Sequence, residues 1–178
     1  MAIRKLRHEE IPRTALAEIG RKPRHPIVLV LDNVRSLYNV GSIFRTCDGA
    51  LIERLYLCGF TPHPPRKEIE KTALDAAASV PWVYHGSVEN VLRELKSGGY
   101  TIAALELAEE STSCFDLKRE HFPLALVIGN EIEGVRKPAL DLCDLAVEIP
   151  MYGIKQSLNV AIAAGIGLYE ALRVIKGK

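Results

Sequence analysis

Residues 26–50 read PIVLVLDNVRSLYNVGSIFRTCDGA, and the fold is decided by how this stretch divides. Pro26 opens a short apolar run, Ile27 to Leu31, rich in β-branched residues, which is the pattern of a buried strand. A polar turn from Asp32 to Ser36 follows, and then a helical stretch from about Asn39 to Ala50. The same alternation continues outward along the chain. Strands are expected at Leu55–Cys58, Trp82–Tyr84, Tyr100–Leu107, Leu124–Ile128 and Leu145–Ile149. Between them, Glu68–Ser79, Val88–Lys96 and Lys137–Cys143 read as helices, with Pro138 suited to a first turn. Pro62, Pro64 and Pro65 mark a loop. A long apolar helix runs to about Ile175, with Ser157 placed to cap it. Strands alternating with helices predict an α/β fold: a mostly parallel sheet covered by helices on both faces.

The bulk properties fit one domain. A chain of 178 residues, 48% hydrophobic and 25% charged, has enough apolar material for a core without a disulfide or metal staple. No apolar run is long enough to span a bilayer, and the charged N-terminus lacks a secretory pattern, so the cytoplasm is the expected compartment. Cys47, Cys58, Cys114 and Cys143 form no metal-ligand spacing and read as reduced, packed thiols; no metal is expected.

Net charge is only +1, but it is unevenly spread. Residues 1–25 hold Arg4, Lys5, Arg7, Arg13, Arg21, Lys22 and Arg24 against three acids, and the rest is slightly acidic. Residues 1–25 are therefore expected to be a basic arm or helix on a domain of residues 26–178. Such an arm suits a phosphate backbone, and a solvated terminal helix would look the same.

Neither GxGxxG nor a P-loop is present. Ligands of open α/β sheets gather beyond the carboxyl ends of the strands, so the segments after strands hold the candidates. After the first strand, Asn39 and Arg45 stand six residues apart on one helix. Arg45 lies among Ile43, Phe44 and Cys47, where burial and a salt bridge to Asp48 or Glu53 are the ordinary expectation. After Ile128, Gly129 lets backbone approach a ligand, and Asn130 and Glu131 add an amide and a carboxylate. After Ile149, Ser157 precedes Asn159, which falls inside the expected first helical turn. The small apolar run Ala161–Gly165 suits close helix packing, within one chain or between two.

NVGSIFRT, VIGNEIEGV and IPMYGIKQSLNV, in that order, resemble the three motifs of the SpoU-type, TrmH-like RNA 2′-O-ribose methyltransferases of the SPOUT superfamily. The resemblance covers about Pro26 to Lys178. It implies a C-terminal trefoil knot, a homodimer with the active site at the subunit interface, and S-adenosylmethionine bound in the knot. It places Leu105, Glu106, Gly129, Ile149, Met151 and Leu158 at the cofactor, and Asn39, Arg45, Glu131, Ser157 and Asn159 in the catalytic set. The implied activity is methyl transfer to a ribose 2′-hydroxyl of RNA, with tRNA favoured over rRNA. Two rivals are a catalytically silent RNA-binding or ribosome-assembly protein on the same scaffold and a small-molecule nucleotide enzyme. The five polar motif positions argue against the first, and the basic arm against the second.

Overall fold

The computed structural model describes residues 3–12 and 14–177. In chain order the elements are α1 (Leu16–Ile19), β1 (His25–Asp32), α2 (Leu37–Gly49), β2 (Ile52–Cys58), α3 (Lys67–Ala73), α4 (Ala76–Ser79), β3 (Trp82–His85), α5 (Val88–Ser97), β4 (Thr101–Leu105), β5 (Ser111–Ser113), β6 (Leu124–Ile128), α6 (Lys137–Leu140), β7 (Leu145–Glu148) and α7 (Val160–Lys176). The strands form a seven-stranded sheet in the order β3-β2-β1-β6-β4-β7-β5. Every pairing is parallel. The doubly covered sheet expected from the sequence is therefore present.

Side-chain alternation explains the two covered faces. Ile27, Leu29 and Leu31 of β1 join Leu124, Leu126 and Ile128 of β6 in a core shared with α2, α3 and α7. Val28 and Val30 face the other way, with Ala125 and Val127, and pack against α5 and the segment around α6. The central strands are apolar on both faces because both are buried. The glycine of the first motif, Gly41, sits where α2 meets α3: a Cβ there would lie 2.6 Å from the Ile69 carbonyl oxygen.

Three expectations are corrected. The helix read at Glu68–Ser79 is two, because Leu74 and Asp75 adopt left-handed conformations between α3 and α4. The last helix starts at Val160 with Asn159 as its N-cap, so Ser157 does not cap it and Asn159 is outside the first turn. Asparagine is among the strongest N-cap residues, and its side chain accepts from the Ala161 amide at 2.9 Å. Asn39 does not start α2; Ser36 caps it, accepting from the Asn39 amide at 3.3 Å.

The basic arm is partly spent on the fold. Arg24 donates to the carbonyls of Ile52 at 3.0 Å and Ser79 at 2.6 Å. Arg4 pairs with Glu10 at 3.0 Å and Lys22 with Glu18 at 3.8 Å. Arg13 lies outside the described residues. Among the described residues no helix is long and apolar enough to cross a membrane, and no three His, Cys, Asp or Glu side chains gather as a metal site.

Candidate active site

The carboxyl ends of β4, β6 and β7 open into a cavity of about 480 Å³. Such a volume suits a small-molecule ligand. Its walls include Leu105, Ile128, Val147, Ile149 and Leu158, with Gly129, Glu106 and Met151 beside them. All six residues expected at the cofactor line it, and Glu131, Ser157 and Asn159 stand on its lining too.

One side of the cavity is a tightly folded loop. Asn130 and Gly134 exchange backbone hydrogen bonds at 3.0 and 3.1 Å, and the Asn130 side chain accepts from the amides of Ile132 and Glu133 at 2.8 Å each. Glu106, at the end of β4, accepts from the Val135 amide at 2.9 Å and the Leu107 amide at 3.0 Å. The loop is thereby held to two strand ends. Behind it, Asp32 is wholly buried and bonded by Arg136 through Nε and Nη2, at 2.8 Å for Nη2. Glu89 lies 3.7 Å from the same guanidinium.

Glu131 reaches out of this loop to the N-terminus of α2. It accepts from the amides of Arg35 at 3.2 Å and Ser36 at 3.3 Å, and from Asn39 Nδ2 at 3.0 Å. Asn39 Oδ1 in turn accepts from Asn159 Nδ2 at 3.2 Å. Partial burial would raise the Glu131 pKa, but these donors outweigh it and hold the carboxyl below its usual range. The positive end of α2 acts in the same direction. Three residues from three motifs thus form one hydrogen-bonded chain, Glu131–Asn39–Asn159.

Arg45 departs from its ordinary expectation. It is exposed on α2 and makes no ion pair among the described residues, so the proposed salt bridge to Asp48 or Glu53 is absent. Asp48 instead accepts from the Ser79 hydroxyl. Neither Asn39 nor Arg45 lines the cavity; Asn39 is bonded to its lining residues Glu131 and Asn159, and Arg45 lies six residues further along α2, which runs beside α7. Ser157 is exposed and forms no part of the Glu131–Asn39–Asn159 chain.

Sequence reasoning missed Ser36, Arg35 and Gln156. Arg35 and Ser36 hold Glu131 through backbone amides, which leave no side-chain signature; the Ser36 hydroxyl also caps α2, a signal the sequence did carry, and Gln156 lies inside the third motif and lines the cavity.

The model of the SpoU rRNA methylase family matches residues 26–169. The chain belongs to that family. The resemblance carried by the three motifs is thus borne out. A tRNA (guanosine(18)-2′-O)-methyltransferase from Aquifex aeolicus is 35% identical over 161 residues, which cover 89% of this chain and 74% of that enzyme. A 23S rRNA (guanosine-2′-O-)-methyltransferase RlmB from Ralstonia nicotianae is 36% identical over 151 residues. That match covers 83% of this chain but only 59% of the Ralstonia enzyme, so the chain spans about three fifths of this relative's length. Among solved structures, the SpoU methyltransferase AviRb from Streptomyces viridochromogenes in complex with AdoMet superposes with a TM-score of 0.77 at 28% identity. The superposition covers 95% of this chain and 68% of AviRb.

Proposed function

We propose that this chain is an S-adenosylmethionine-dependent RNA methyltransferase that acts on a ribose 2′-hydroxyl, with tRNA the favoured substrate. The observation that carries the reading is the junction of cavity and hydrogen-bonded chain. Glu131 and Asn159 belong to both, and the chain passes between them through Asn39, on the helix that bears Arg45. The tRNA preference is supported by the tRNA (guanosine(18)-2′-O)-methyltransferase of Aquifex aeolicus, which is 35% identical over 89% of this chain.

The cavity residues fit S-adenosylmethionine. Leu105, Ile128, Ile149 and Leu158 offer apolar walls to an adenine ring, while the peptide groups of Gly129 and Met151 offer polar edges. The bound cofactor supplies an electrophilic methyl group on a sulfonium centre. The chain's own task is to position the 2′-oxygen, offset the charge that develops on it and release its proton. Arg45 is exposed and unpaired among the described residues, and a guanidinium keeps its proton at neutral pH. It is therefore assigned as the cation that grips the neighbouring phosphate and stabilises the 2′-oxyanion, with the proton leaving to phosphate or water. Asn39 positions the ribose edge, Ser157 and Asn159 hold the nucleotide, and Glu131 fixes Asn39. Placement alone contributes several kcal/mol to such a reaction.

A homodimer with the site at its interface belongs to the same reading. It is supported by the third motif, where Tyr152 and Ile154 are 93% and 99% exposed beside the cavity in a single chain. A second copy covering this loop would remove apolar surface from water and enclose Arg45. The C-terminal knot and a cytoplasmic setting are retained as parts of the proposal. So is the division at residue 25, since among the described residues the buried hydrophobic core runs from Ile27 to Ala171, although Arg24 and His25 are already bonded into the sheet domain.

The test is Arg45→Ala, assayed by transfer of labelled methyl from S-adenosylmethionine to bulk tRNA, with cofactor affinity measured by calorimetry. Turnover should fall by at least about a hundredfold, as for loss of one oxyanion-stabilising donor, while cofactor affinity persists. Unchanged turnover would remove Arg45 from the chemistry. Wild-type protein that bound no cofactor would end the methyltransferase reading.

A further inference from the structure

We propose that Phe60, His63 and Tyr84, all exposed at the carboxyl ends of β2 and β3, form a stacking platform for an unpaired base of the RNA substrate. This inference rests on the RNA-methylating reading above and adds a surface outside the cofactor cavity.

Phe60 is 86% exposed and Tyr84 44% exposed, and β3 is an edge strand of the sheet. The His63 ring lies 4.8 Å from the Tyr84 ring and 6.1 Å from that of Trp82, stacked on the latter. An exposed phenylalanine by itself means little. Here the backbone beneath it is fixed from several directions. The Phe60 amide donates to Asn33 Oδ1 at 2.7 Å, and the Gly59 amide to the His85 carbonyl at 3.0 Å. Tyr84 Oη donates to the Gly59 carbonyl at 3.0 Å, and Thr61 Oγ1 accepts from the Val34 amide at 3.1 Å. Gly59 has φ +62°, and a Cβ there would lie 2.2 Å from Asn33 Oδ1, so glycine is what lets Asn33 reach Phe60. The loop is rigid where its ring is most exposed. A rigid aromatic offers contact area with little ordering cost on binding.

The surroundings suit RNA. Arg66 and Lys67 follow the platform directly, and Arg35 follows Asn33 and Val34, which anchor it. All three are exposed, and none makes an ion pair among the described residues. The nearest acids in sequence are Glu68 and Glu70 for Arg66 and Lys67, and for Arg35 Asp32, which is buried and paired with Arg136. Cations beside aromatic rings are the combination that holds single-stranded nucleic acid, backbone by charge and base by stacking. The platform also has a fixed relation to the catalytic helix. Trp82, under His63, packs edge-on against Phe44 at 6.3 Å, and Phe44 is the neighbour of Arg45. A base on the platform would therefore rest on a surface packed against the helix that bears Arg45.

The experiment uses the full-length protein and a uridine decaribonucleotide carrying one central 2-aminopurine, whose fluorescence is quenched on stacking. Phe60→Ala should weaken binding about tenfold, as expected for loss of one stacked base, and raise the KM for bulk tRNA by a similar factor. Affinity for S-adenosylmethionine and kcat should not change, and Phe60→Trp should restore quenching and KM. Unchanged RNA binding and KM in Phe60→Ala would overturn the platform. So would a changed sedimentation coefficient with RNA affinity intact, which would make this face a protein interface. Wild-type protein that quenches the probe through Phe60 but methylates no RNA would support the platform and defeat the proposed activity, so the two readings fail separately.

Discussion

Asn39 Nδ2 donates to Glu131 Oε1 at 3.0 Å, joining residues 92 positions apart in the chain. The contact ties the start of α2 to the loop that walls the cavity. Both neighbouring amides, of Arg35 and Ser36, converge on the same carboxylate. Glu131 is therefore an N-terminal anion for α2 supplied by a distant loop, and Asn39 is oriented by it on one side and by Asn159 on the other.

Glu131→Gln keeps the shape and removes the charge. Because the site is open to solvent, the expected loss of stability is small, about 1 kcal/mol. Turnover should fall far more than stability, since Asn39 loses its charged acceptor. The Glu131 pKa is depressed from 4.5. Its contribution is therefore fully present above pH 4.5 and is lost as the pH falls through the lower folded value. Denaturation of wild type and variant should differ at pH 7 and converge in acid. A gap in stability that stayed constant down to acid pH would show that the carboxylate charge is not the cause.

Much of this arrangement was legible in the sequence and some was not. The apolar runs marked β1, β2 and β6 because central parallel strands are apolar on both faces, and β7 was marked by Leu145, Ala146 and Val147 although only Val147 is buried. The six residues expected at the cofactor fell together because they follow strands that end at one edge of the sheet. The caps were misjudged. Ser157 and Asn159 are both good cap residues, and only the path of the chain through 150–158, which depends on distant packing, selects Asn159. The exposure of Arg45 was hidden for a similar reason. Its neighbours Phe44 and Cys47 are buried, but Arg45 projects from the side of α2 that neither the sheet nor α7 covers. The loop at 59–66 read only as proline-rich, because its aromatic partners are on β3, some twenty residues later.

Arg136→Met tests what holds the cavity loop from behind. Asp32 is 0% exposed, and the variant leaves its carboxylate buried without a cation. A loss of about 3 kcal/mol is expected in urea denaturation, the lower end for breaking a buried pair because Arg136 is partly exposed. The double variant Asp32→Leu with Arg136→Met should recover much of it, since the uncompensated charge is gone. Wild-type stability in Arg136→Met would show that the pair does not hold the loop.

Gly134→Ala tests the loop from the front. Gly134 has φ +68°, and an added Cβ would stand 2.1 Å from Glu106 Oε2. The carboxylate would be driven off the amides of Val135 and Leu107, freeing the loop from the end of β4. A left-handed non-glycine residue adds about 1 kcal/mol of backbone strain. Cofactor affinity by calorimetry should fall about tenfold or more, the equivalent of losing one hydrogen-bonded anchor. Gly86→Ala serves as the control, because a Cβ there meets nothing within 4 Å and Gly86 does not line the cavity. Equal affinities in the two variants would refute the role given to Glu106.

Asn159 makes two separable contacts, and two substitutions divide them. Its Oδ1 caps α7 by accepting from the Ala161 amide, and its Nδ2 donates to Asn39. Asn159→Asp retains the cap, and its charge suits a helix N-terminus, but it has no donor for Asn39 Oδ1. Asn159→Ala loses both contacts. The aspartate variant should therefore melt at the wild-type temperature or above it and still lose most of its methyl transfer. The alanine variant should lose activity and about 1 kcal/mol of stability together. Thermal melts beside a transfer assay on bulk tRNA separate these outcomes. An aspartate variant with full activity would mean that the link from Asn159 to Asn39 does not orient the site, and that Asn159 serves α7 alone.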